Sequence, residues 1–289
     1  MRIAIIGAAG QLGTALMRTF GSAPGCEVAG LTHSEMEVAD AGVVARALAP
    51  LRPDVVINCA AFHRVDDCED RPEEAFRVNT LGALHVARAC ANLGASAVYI
   101  STDYVFDGAK GGAYTEEDPP TPPNIYGASK LAGEVLTRQA CQRWLVVRVA
   151  SLFGPGGASS KGGSFLDRIV ARARAGEPLR VVADMVMSPT YTPDAAAAIE
   201  RLVAEGCTGV FHATNAGCCS WYEFAQEALA HLKISTSVIP VPSSEFPTRA
   251  RRPRNSSLKG RAIPGFAMRP WQEALQDYLR EHGCMEDER

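Results

Sequence analysis

The sequence lacks any apolar run long enough to cross a membrane. A membrane-spanning helix needs about 18 or more consecutive apolar residues, and none of the apolar runs in these 289 residues reaches that length. The first of them, Met1–Gly7, is also too short for the core of a signal peptide, and glycines rather than a cleavage site follow it. We therefore expect a cytoplasmic protein without membrane partners.

The chain also lacks a strong charge of either sign and the spacings that bind metal ions. Its formal net charge is -3, which excludes the basic surface that nucleic acids or acidic lipids require. The nine cysteines include no C-x-x-C pair, and no cluster of histidines and carboxylates has ligand spacing. We expect reduced, mostly buried cysteines and no metal at the active site.

Short apolar runs alternate with amphipathic stretches in the first half of the chain. Runs bounded on both sides by polar residues are typical of strands buried on both faces. The predicted strands are Ile3–Gly7, Val28–Leu31, Val55–Asn58, Ala97–Ser101 and Leu145–Val149, and the predicted helices are Gln11–Phe20, Val43–Leu48, Glu73–Leu93 and Tyr126–Ala140. This alternation predicts an α/β protein with a doubly wound parallel sheet, similar to the Rossmann fold.

The pattern becomes less regular after about Ser151. We predict a dinucleotide-binding domain over residues 1–150, to which segments from about 181–215 return. Residues 151–289 are predicted to form mainly a smaller, substrate-binding lobe, with helices at Phe165–Ala175, Trp221–Leu232 and Trp271–Arg280.

A glycine-rich segment follows the first predicted strand and opens a helix. Residues Gly7–Gly13 have the pattern G-x-x-G-x-x-G. In this context Gly7 permits a tight turn, Gly10 lets the backbone approach a pyrophosphate, and Gly13 lets the helix pack closely on the strand. The helix N-terminus then faces the anion, which predicts a dinucleotide site.

The end of the second predicted strand bears on the choice between NADPH and NADH. In NAD-binding proteins an acidic residue there binds the adenosine ribose, whereas this chain has Thr32, His33 and Ser34, with no carboxylate before Glu35. These three residues can donate hydrogen bonds to a 2′-phosphate. The segment favours NADPH, with NADH possible.

Two later segments are candidates for contact with the rest of the cofactor. Asp40 and Ala41 follow the second strand and could lie near the adenine. Ala60 and Ala61 follow the third strand, and their small side chains would let a dinucleotide lie close to the backbone.

Tyr126 and Lys130 are the predicted catalytic pair. Residues four apart share a helix face, so the Lys130 ammonium is expected to lie beside the Tyr126 hydroxyl and to lower its pKa from about 10. The same ammonium can bind the cofactor ribose. A surface helix with two amphipathic side chains explains Y-x-x-x-K equally well in isolation, but here the pair follows both the glycine loop and a strand that ends near Thr102.

Thr102 and Asp103 lie at the carboxyl end of the fourth predicted strand, where ligands of doubly wound sheets bind. The Thr102 hydroxyl could hold a substrate carbonyl oxygen beside Tyr126. Asp103 could contact a sugar hydroxyl or cap its loop. Asn79 is a candidate for supporting Lys130 from behind, with structural packing as the alternative.

Taken together, these motifs resemble the extended short-chain dehydrogenase/reductase superfamily, and within it the dTDP-4-dehydrorhamnose reductase family. The resemblance covers nearly the full chain. Its motifs are Gly7–Gly13, Asn58–Ala61, the S-T-D-Y-V-F-D-G run Ser101–Gly108, Pro122–Glu134 and Arg252–Ser256. The S-T-D-Y-V-F-D-G run is the most specific of them.

The resemblance implies a role for each matching residue. Gly10, Gln11 and Leu12 would line the pyrophosphate. Tyr126 would be the proton donor, with Lys130 as its partner. Thr102 and Asp103 would contact the substrate. Arg252 or Arg254 would approach the nucleotide end of the substrate, where a guanidinium suits a diphosphate; solvated surface charge is the alternative.

One departure affects the predicted sugar site. Family members often have a tryptophan after the fifth strand, in an R-T-S-W pattern that packs near the sugar, and this chain has Ser151 there. Ser151 is therefore a candidate substrate contact that alters the sugar site.

The resemblance implies NADPH-dependent reduction of the 4-keto group of a nucleotide-activated deoxysugar, in dTDP-L-rhamnose biosynthesis. The expected partner is the nucleotide-sugar substrate, and a homodimer stays open. Two alternatives remain open at this point. One is a dinucleotide-binding regulatory protein that resembles the methionine adenosyltransferase β-subunit. The other is a nucleotide-sugar epimerase or dehydratase, which would retain and recycle its cofactor.

Overall fold

A computed structural model describes residues 1–156 and 164–281. The strands are β1 Arg2–Ile6, β2 Glu27–Leu31, β3 Val55–Asn58, β4 Ser96–Thr102, β5 Trp144–Val149, β6 Leu152–Phe153, β7 Leu179–Val182, β8 Val186–Met187, β9 Thr190–Tyr191, β10 Gly209–His212, β11 Cys219–Ser220 and β12 Val238–Val241. The α-helices are α1 Gln11–Ser22, α2 Ala41–Leu48, α3 Val65–Asp70, α4 Pro72–Phe76, α5 Gly82–Leu93, α6 Ile125–Ala140, α7 Phe165–Arg174, α8 Thr192–Ala204, α9 Trp221–His231 and α10 Trp271–Glu281.

The central element is a parallel sheet of six strands in the order β10-β5-β4-β3-β1-β2. The order changes direction between β1 and β3, as it does in doubly wound sheets, where ligands bind at the carboxyl ends of the strands. The predicted fold class is confirmed.

Both faces of this sheet are covered, which explains why its strands are almost entirely apolar. Ile3 and Ile5 of β1 pack with α1 and α8 on one face. Their neighbours Ala4 and Ile6 pack with α2 and α5 on the other. Alternate residues of a strand face opposite sides of a sheet, so the apolar residues of β1 contribute to the hydrophobic layers on both faces.

The helix that sequence periodicity predicts over Glu73–Leu93 is interrupted in the structure. Between α4 and α5 the backbone forms a π-helical turn at Arg77–Leu81. Such turns insert an extra residue and recur at functional sites, and this one contains the buried Asn79.

The second lobe consists of short strand pairs and helices. β6 pairs with β9 and β7 pairs with β12, both in parallel, and β8 pairs antiparallel with β11. An aromatic cluster that includes Phe153, Phe224, Trp271 and Tyr278 joins α9 and α10 to β6. Of the segment 181–215, α8 and β10 lie with the main sheet, whereas β8 belongs to the second lobe. The division at residue 150 stays a prediction.

Candidate active site

A cavity of about 450 Å³ opens at the carboxyl ends of the sheet strands. It is lined by residues from the glycine loop, from the ends of β3, β4 and β5, from α6 and from the second lobe. They are Gly7, Gly10, Gln11, Leu12, Gly13, Cys59, Ala61, His63, Val65, Ile100, Ser101, Thr102, Asp103, Tyr104, Tyr126, Lys130, Val149, Ser151, Leu152 and Trp221.

The glycines of the first loop are required by its geometry. Gly7 has a φ of 77°, which is accessible to glycine at little cost. A Cβ added at Gly13 would lie 2.1 Å from the Gly7 carbonyl oxygen, and one at Gly10 would lie 3.1 Å from that oxygen. The loop therefore forms a side-chain-free cradle at the N-terminus of α1, which suits a pyrophosphate.

Gln11 has an unexpected partner within the described chain. Its Nε2 donates a hydrogen bond of 2.9 Å to the main-chain oxygen of Gly154. The glycine loop is thereby joined to the segment that leads into the second lobe, so Gln11 links the predicted cofactor site to the predicted substrate lobe.

The residues after β2 form a local hydrogen-bonded turn outside the cavity lining, as far as the described residues define it. The Thr32 hydroxyl donates to Glu35 Oε2 at 2.6 Å, and Thr32 N donates to the same oxygen at 2.8 Å. These bonds lower the pKa of Glu35, the side-chain bond most. Glu35 is the first carboxylate after the second strand, and the turn brings it back to the strand end.

The other two residues of that turn differ in their surroundings. Ser34 Oγ lies 3.0 Å from Thr32 Oγ1. His33 is largely exposed and its Nε2 lies 3.3 Å from a Glu37 carboxylate oxygen. Contact of Thr32, His33 and Ser34 with a 2′-phosphate stays a prediction.

Asp40 has a clear structural role. It is the N-cap of α2, and its Oδ1 accepts a hydrogen bond of 2.9 Å from Val43 N, which lowers the pKa of the carboxyl. Asp40 and Ala41 lie outside the cavity lining defined by the described residues. Of the pair after β3, Ala61 lines the cavity, and Ala60 N is held by Asn58 Oδ1 at 3.1 Å.

Helix α6 carries Tyr126 and Lys130 into the cavity. Its N-cap is Asn124, whose Oδ1 accepts from Gly127 N at 2.8 Å. A Cβ at Gly127 would lie 2.0 Å from the Tyr104 carbonyl oxygen, so glycine allows the start of α6 to approach the segment after β4. This close approach brings Tyr126 next to Thr102.

Thr102 and Tyr126 both line the cavity. Burial raises the pKa of the Tyr126 hydroxyl, and the hydrogen bond with Thr102 opposes that increase. Thr102 Oγ1 also donates to Asp103 Oδ1 at 3.0 Å and accepts from Tyr104 N at 3.2 Å. These two bonds hold the hydroxyl of Thr102, the last residue of β4, in a fixed position.

Lys130 is buried and is bound mainly to β4. Its Nζ donates to the main-chain oxygen of Ile100 at 2.6 Å and lies 4.1 Å from the centre of the Tyr99 ring. Burial lowers the pKa of Lys130 to about 7, and the negative charge of Glu134 opposes that shift. The largest opposing effect on the pKa of Tyr126 comes from Thr102; an effect of Lys130 on it stays a prediction.

Asn79 supports the start of α6 from the π-helical turn. Its side chain accepts from Phe62 N at 2.8 Å and donates to Phe62 O at 3.0 Å and to Ser129 Oγ at 2.9 Å. Asn79 therefore fixes the residue adjacent to Lys130 to the segment after β3.

A buried ion pair beneath the site was not anticipated from the sequence. Arg148 of β5 binds Glu134 through both carboxylate oxygens, at 2.9 and 2.7 Å, and Ser101 Oγ donates to Glu134 at 2.5 Å. Glu134 follows Lys130 by four residues, so the helical spacing was the available signal. The pair joins α6, β4 and β5 below the catalytic residues.

Asp103 presents an unusual carboxyl group to the cavity. Burial raises its pKa to about 6, although hydrogen bonds from Ser256 and Thr102 oppose the shift. Its Oδ2 is buried and has no hydrogen-bond partner among the described residues. A buried polar atom of this kind is costly unless a partner satisfies it, which favours a ligand hydroxyl.

The remaining predicted substrate contacts divide into two groups. Ser151 lines the cavity, with a φ of 40° that is uncommon outside glycine. Arg252 and Arg254 lie outside the lining given by the described residues. Arg252 binds Asp66 Oδ2 at 2.9 Å and lies 3.4 Å from the hydroxyl of Tyr104, which lines the cavity. Arg254 is exposed.

Across the described ranges, no group of three or more histidine, cysteine, aspartate or glutamate side chains could hold a metal ion. No described helix is both long and apolar enough to cross a membrane.

Comparison with known proteins identifies the family. Residues 1–284 match the RmlD substrate binding domain family. The chain belongs to that family. It is 39% identical to the spore coat polysaccharide biosynthesis protein SpsK of Bacillus subtilis over 97% of both chains.

Solved structures of the RmlD family agree with the fold over nearly the whole chain. A dTDP-4-dehydrorhamnose reductase from Clostridium acetobutylicum superposes with a TM-score of 0.92 at 34% identity, over 98% of this chain and 99% of that one. A dTDP-4-dehydrorhamnose reductase from Bacillus anthracis in complex with NADP has a TM-score of 0.90 at 34% identity, over 97% and 99% of the two chains. The family resemblance predicted from the motifs is confirmed.

Proposed function

We propose that this chain is an NADPH-dependent reductase that converts the 4-keto group of a dTDP-activated 6-deoxysugar to a hydroxyl, as in dTDP-L-rhamnose biosynthesis. The observation that carries the proposal is the convergence of the glycine cradle, Thr102, Tyr126 and Lys130 on one cavity. The RmlD family relatives, which include an NADP complex, support the same activity.

The cradle at the start of α1 suits the pyrophosphate of the cofactor. Gly7, Gly10 and Gly13 leave the space that a Cβ would fill, and the helix N-terminus favours a bound anion. NADPH would supply the hydride to C4 of the sugar.

Tyr126 gives its hydroxyl proton to the keto oxygen as the C4–H bond forms, so the carbonyl becomes an alcohol without a free alkoxide. Thr102 orients the tyrosine and lowers the pKa of its hydroxyl against the effect of burial. Lys130, held by the Ile100 carbonyl oxygen, is close enough to the site to bind the cofactor ribose. Asp103 Oδ2 accepts a hydrogen bond from a hydroxyl of the sugar.

Turnover with dTDP-4-dehydro-6-deoxy-L-mannose tests the proposal directly. We expect NADPH consumption equal to the sugar reduced, and its loss in Tyr126→Phe with NADPH affinity unchanged. An epimerase or dehydratase would leave the NADPH pool intact, and wild-type turnover by Tyr126→Phe would contradict the assigned proton donor. A homodimeric assembly and a cytoplasmic location stay predictions.

A further inference from the structure

Trp221 occupies a fixed position on the wall of the cavity. It is the first residue of α9 and is half-buried. The start of α9 is held by a capping box, in which Ser220 Oγ accepts from Glu223 N at 3.1 Å and Glu223 Oε2 accepts from Ser220 N at 2.7 Å. The capping box fixes the backbone position from which the indole projects.

Trp221 and Ser151 are brought to the cavity by elements that pack against each other. The Phe224 ring, one helical turn beyond Trp221, packs 5.4 Å from the Phe153 ring of β6. Ser151 directly precedes β6 and lines the cavity with Trp221. Because serine is small, residue 151 takes up little of the cavity.

The two tyrosine rings that line the cavity have other roles. Tyr126 is the proposed proton donor. The Tyr104 ring packs edge-on against Tyr126, with centroids 6.1 Å apart, and its hydroxyl lies 3.4 Å from Arg252 Nη1. Trp221 contacts Phe165, at 4.8 Å between ring centroids, and lines the cavity.

We propose that Trp221 is the sugar-specificity residue of this enzyme, binding the apolar face and methyl group of the 6-deoxysugar. The C–H bonds of a pyranose ring are weakly positive, and the indole face carries the negative part of the ring quadrupole. An aromatic wall with a few directed polar groups is typical of small-molecule sites. Here Asp103 and Thr102 supply the polar contacts and Trp221 the apolar one. This inference rests on the proposed function.

Tryptophan fluorescence offers a direct test, because the chain has three tryptophans in different surroundings. Trp271 is buried in the aromatic cluster of the second lobe. Trp144 begins β5, at the opposite end of the strand from the cavity-lining Val149. We expect dTDP-L-rhamnose to quench the fluorescence of wild type and of the control Trp144→Phe, and to lose that quenching in Trp221→Phe.

Comparing the affinities for dTDP-L-rhamnose and for dTDP alone separates contacts with the sugar from contacts with the nucleotide. Trp221→Ala should bind dTDP-L-rhamnose about tenfold more weakly, the usual cost of removing an anchoring aromatic residue, while dTDP alone and NADPH bind as in wild type. Trp221→Phe should retain most of the affinity. If Trp221→Ala unfolds, Trp221→Leu provides the same comparison, because leucine keeps an apolar side chain at this position.

Two outcomes overturn the inference alone while wild type still reduces the keto-sugar. One is an affinity of Trp221→Ala for dTDP-L-rhamnose within twofold of wild type. The other is an equal loss for dTDP, which would place the indole against the nucleotide. A wild-type protein that binds NADPH but neither binds dTDP-L-rhamnose nor reduces the keto-sugar overturns both this inference and the proposed function.

Discussion

The buried ammonium of Lys130 donates a hydrogen bond of 2.6 Å to the main-chain oxygen of Ile100, two residues before Thr102. The proposed catalytic lysine is thereby fixed to the strand that carries the proposed catalytic threonine. The charged form of Lys130 is disfavoured in this position, because burial lowers the pKa of Lys130 to about 7.

Lys130→Met should therefore change how stability depends on pH. Between the folded pKa of about 7 and the unfolded value of about 10.4, the unfolded wild type binds more protons at this site than the folded one. The free energy of unfolding of wild type should therefore rise with pH relative to that of Lys130→Met, by up to about 1.4 kcal/mol per pH unit. Urea unfolding across this range measures the difference.

The exposed Lys259 provides the matched control. Lys259→Met removes the same charge at the surface and should give a curve parallel to that of wild type. Parallel curves for Lys130→Met and wild type would mean that Lys130 keeps an ordinary pKa in the folded protein.

Thr102→Val should lower kcat by a factor on the order of 10², the typical loss when one hydrogen-bonding group beside a reacting oxygen is removed. The substitution also removes the bond that lowers the pKa of Tyr126. Thr102→Ser keeps the hydroxyl and should retain most of the activity. Steady-state kinetics with an NADPH-binding titration separates this effect from a loss of cofactor affinity, and equal kcat values for the two variants would exclude a role for the hydroxyl.

Gly13→Ala should weaken NADPH binding tenfold or more, because its Cβ would lie 2.1 Å from the Gly7 carbonyl oxygen and would displace the loop. Gly21→Ala is the control on the same helix, since a Cβ there meets no described atom within 4 Å apart from its chain neighbours and the backbone of its own helix. Alanine in a helix is favoured over glycine by about 0.5–1 kcal/mol, so the control should be as stable as wild type or slightly more so. Equal NADPH affinities would show that the loop is not the cofactor site.

Glu35→Gln should increase the preference for NADPH over NADH by about fivefold at low ionic strength. The Glu35 carboxylate is held at the end of β2 by Thr32, where a negative charge repels a 2′-phosphate, and a single surface charge has roughly this effect at contact distance. Comparing kcat/KM for the two cofactors measures it. Added salt should reduce the gain.

Glu27→Gln is the control for this experiment, because Glu27 begins the same strand at its opposite end. It should leave the cofactor ratio unchanged. The same ratio in Glu35→Gln and wild type would place the 2′-phosphate away from this turn.

Sequence spacing was sufficient for the features that depend on local geometry. The pattern Gly7–Gly13 predicted a loop followed by the start of a helix, and the structure contains both. The prediction was possible because the glycines that shape the loop lie close together in the chain. The four-residue spacing of Tyr126 and Lys130 predicted a shared helix face, and both residues line one cavity. The apolar run predicted the fourth strand over Ala97–Ser101, and β4 ends one residue later, at Thr102.

Contacts between distant segments could not be predicted in this way. Arg252 binds Asp66, 186 residues away, a contact that the sequence did not indicate; the approach of Arg252 or Arg254 to the substrate diphosphate stays a prediction. Trp221 was assigned only to a helix, and its place in the cavity results from the packing of α9 against β6. The return of Glu35 onto Thr32 depends on a turn whose backbone path the residue types did not specify.

The sequence by itself determined the sheet, the glycine cradle, the Tyr126–Lys130 pair and the RmlD family resemblance, because each depends on residues close together in the chain or on apolar alternation. Only the tertiary structure decided what surrounds these residues. Burial raises the pKa of Tyr126 and lowers that of Lys130, and burial is produced by segments that are remote in sequence but packed together around the end of the sheet.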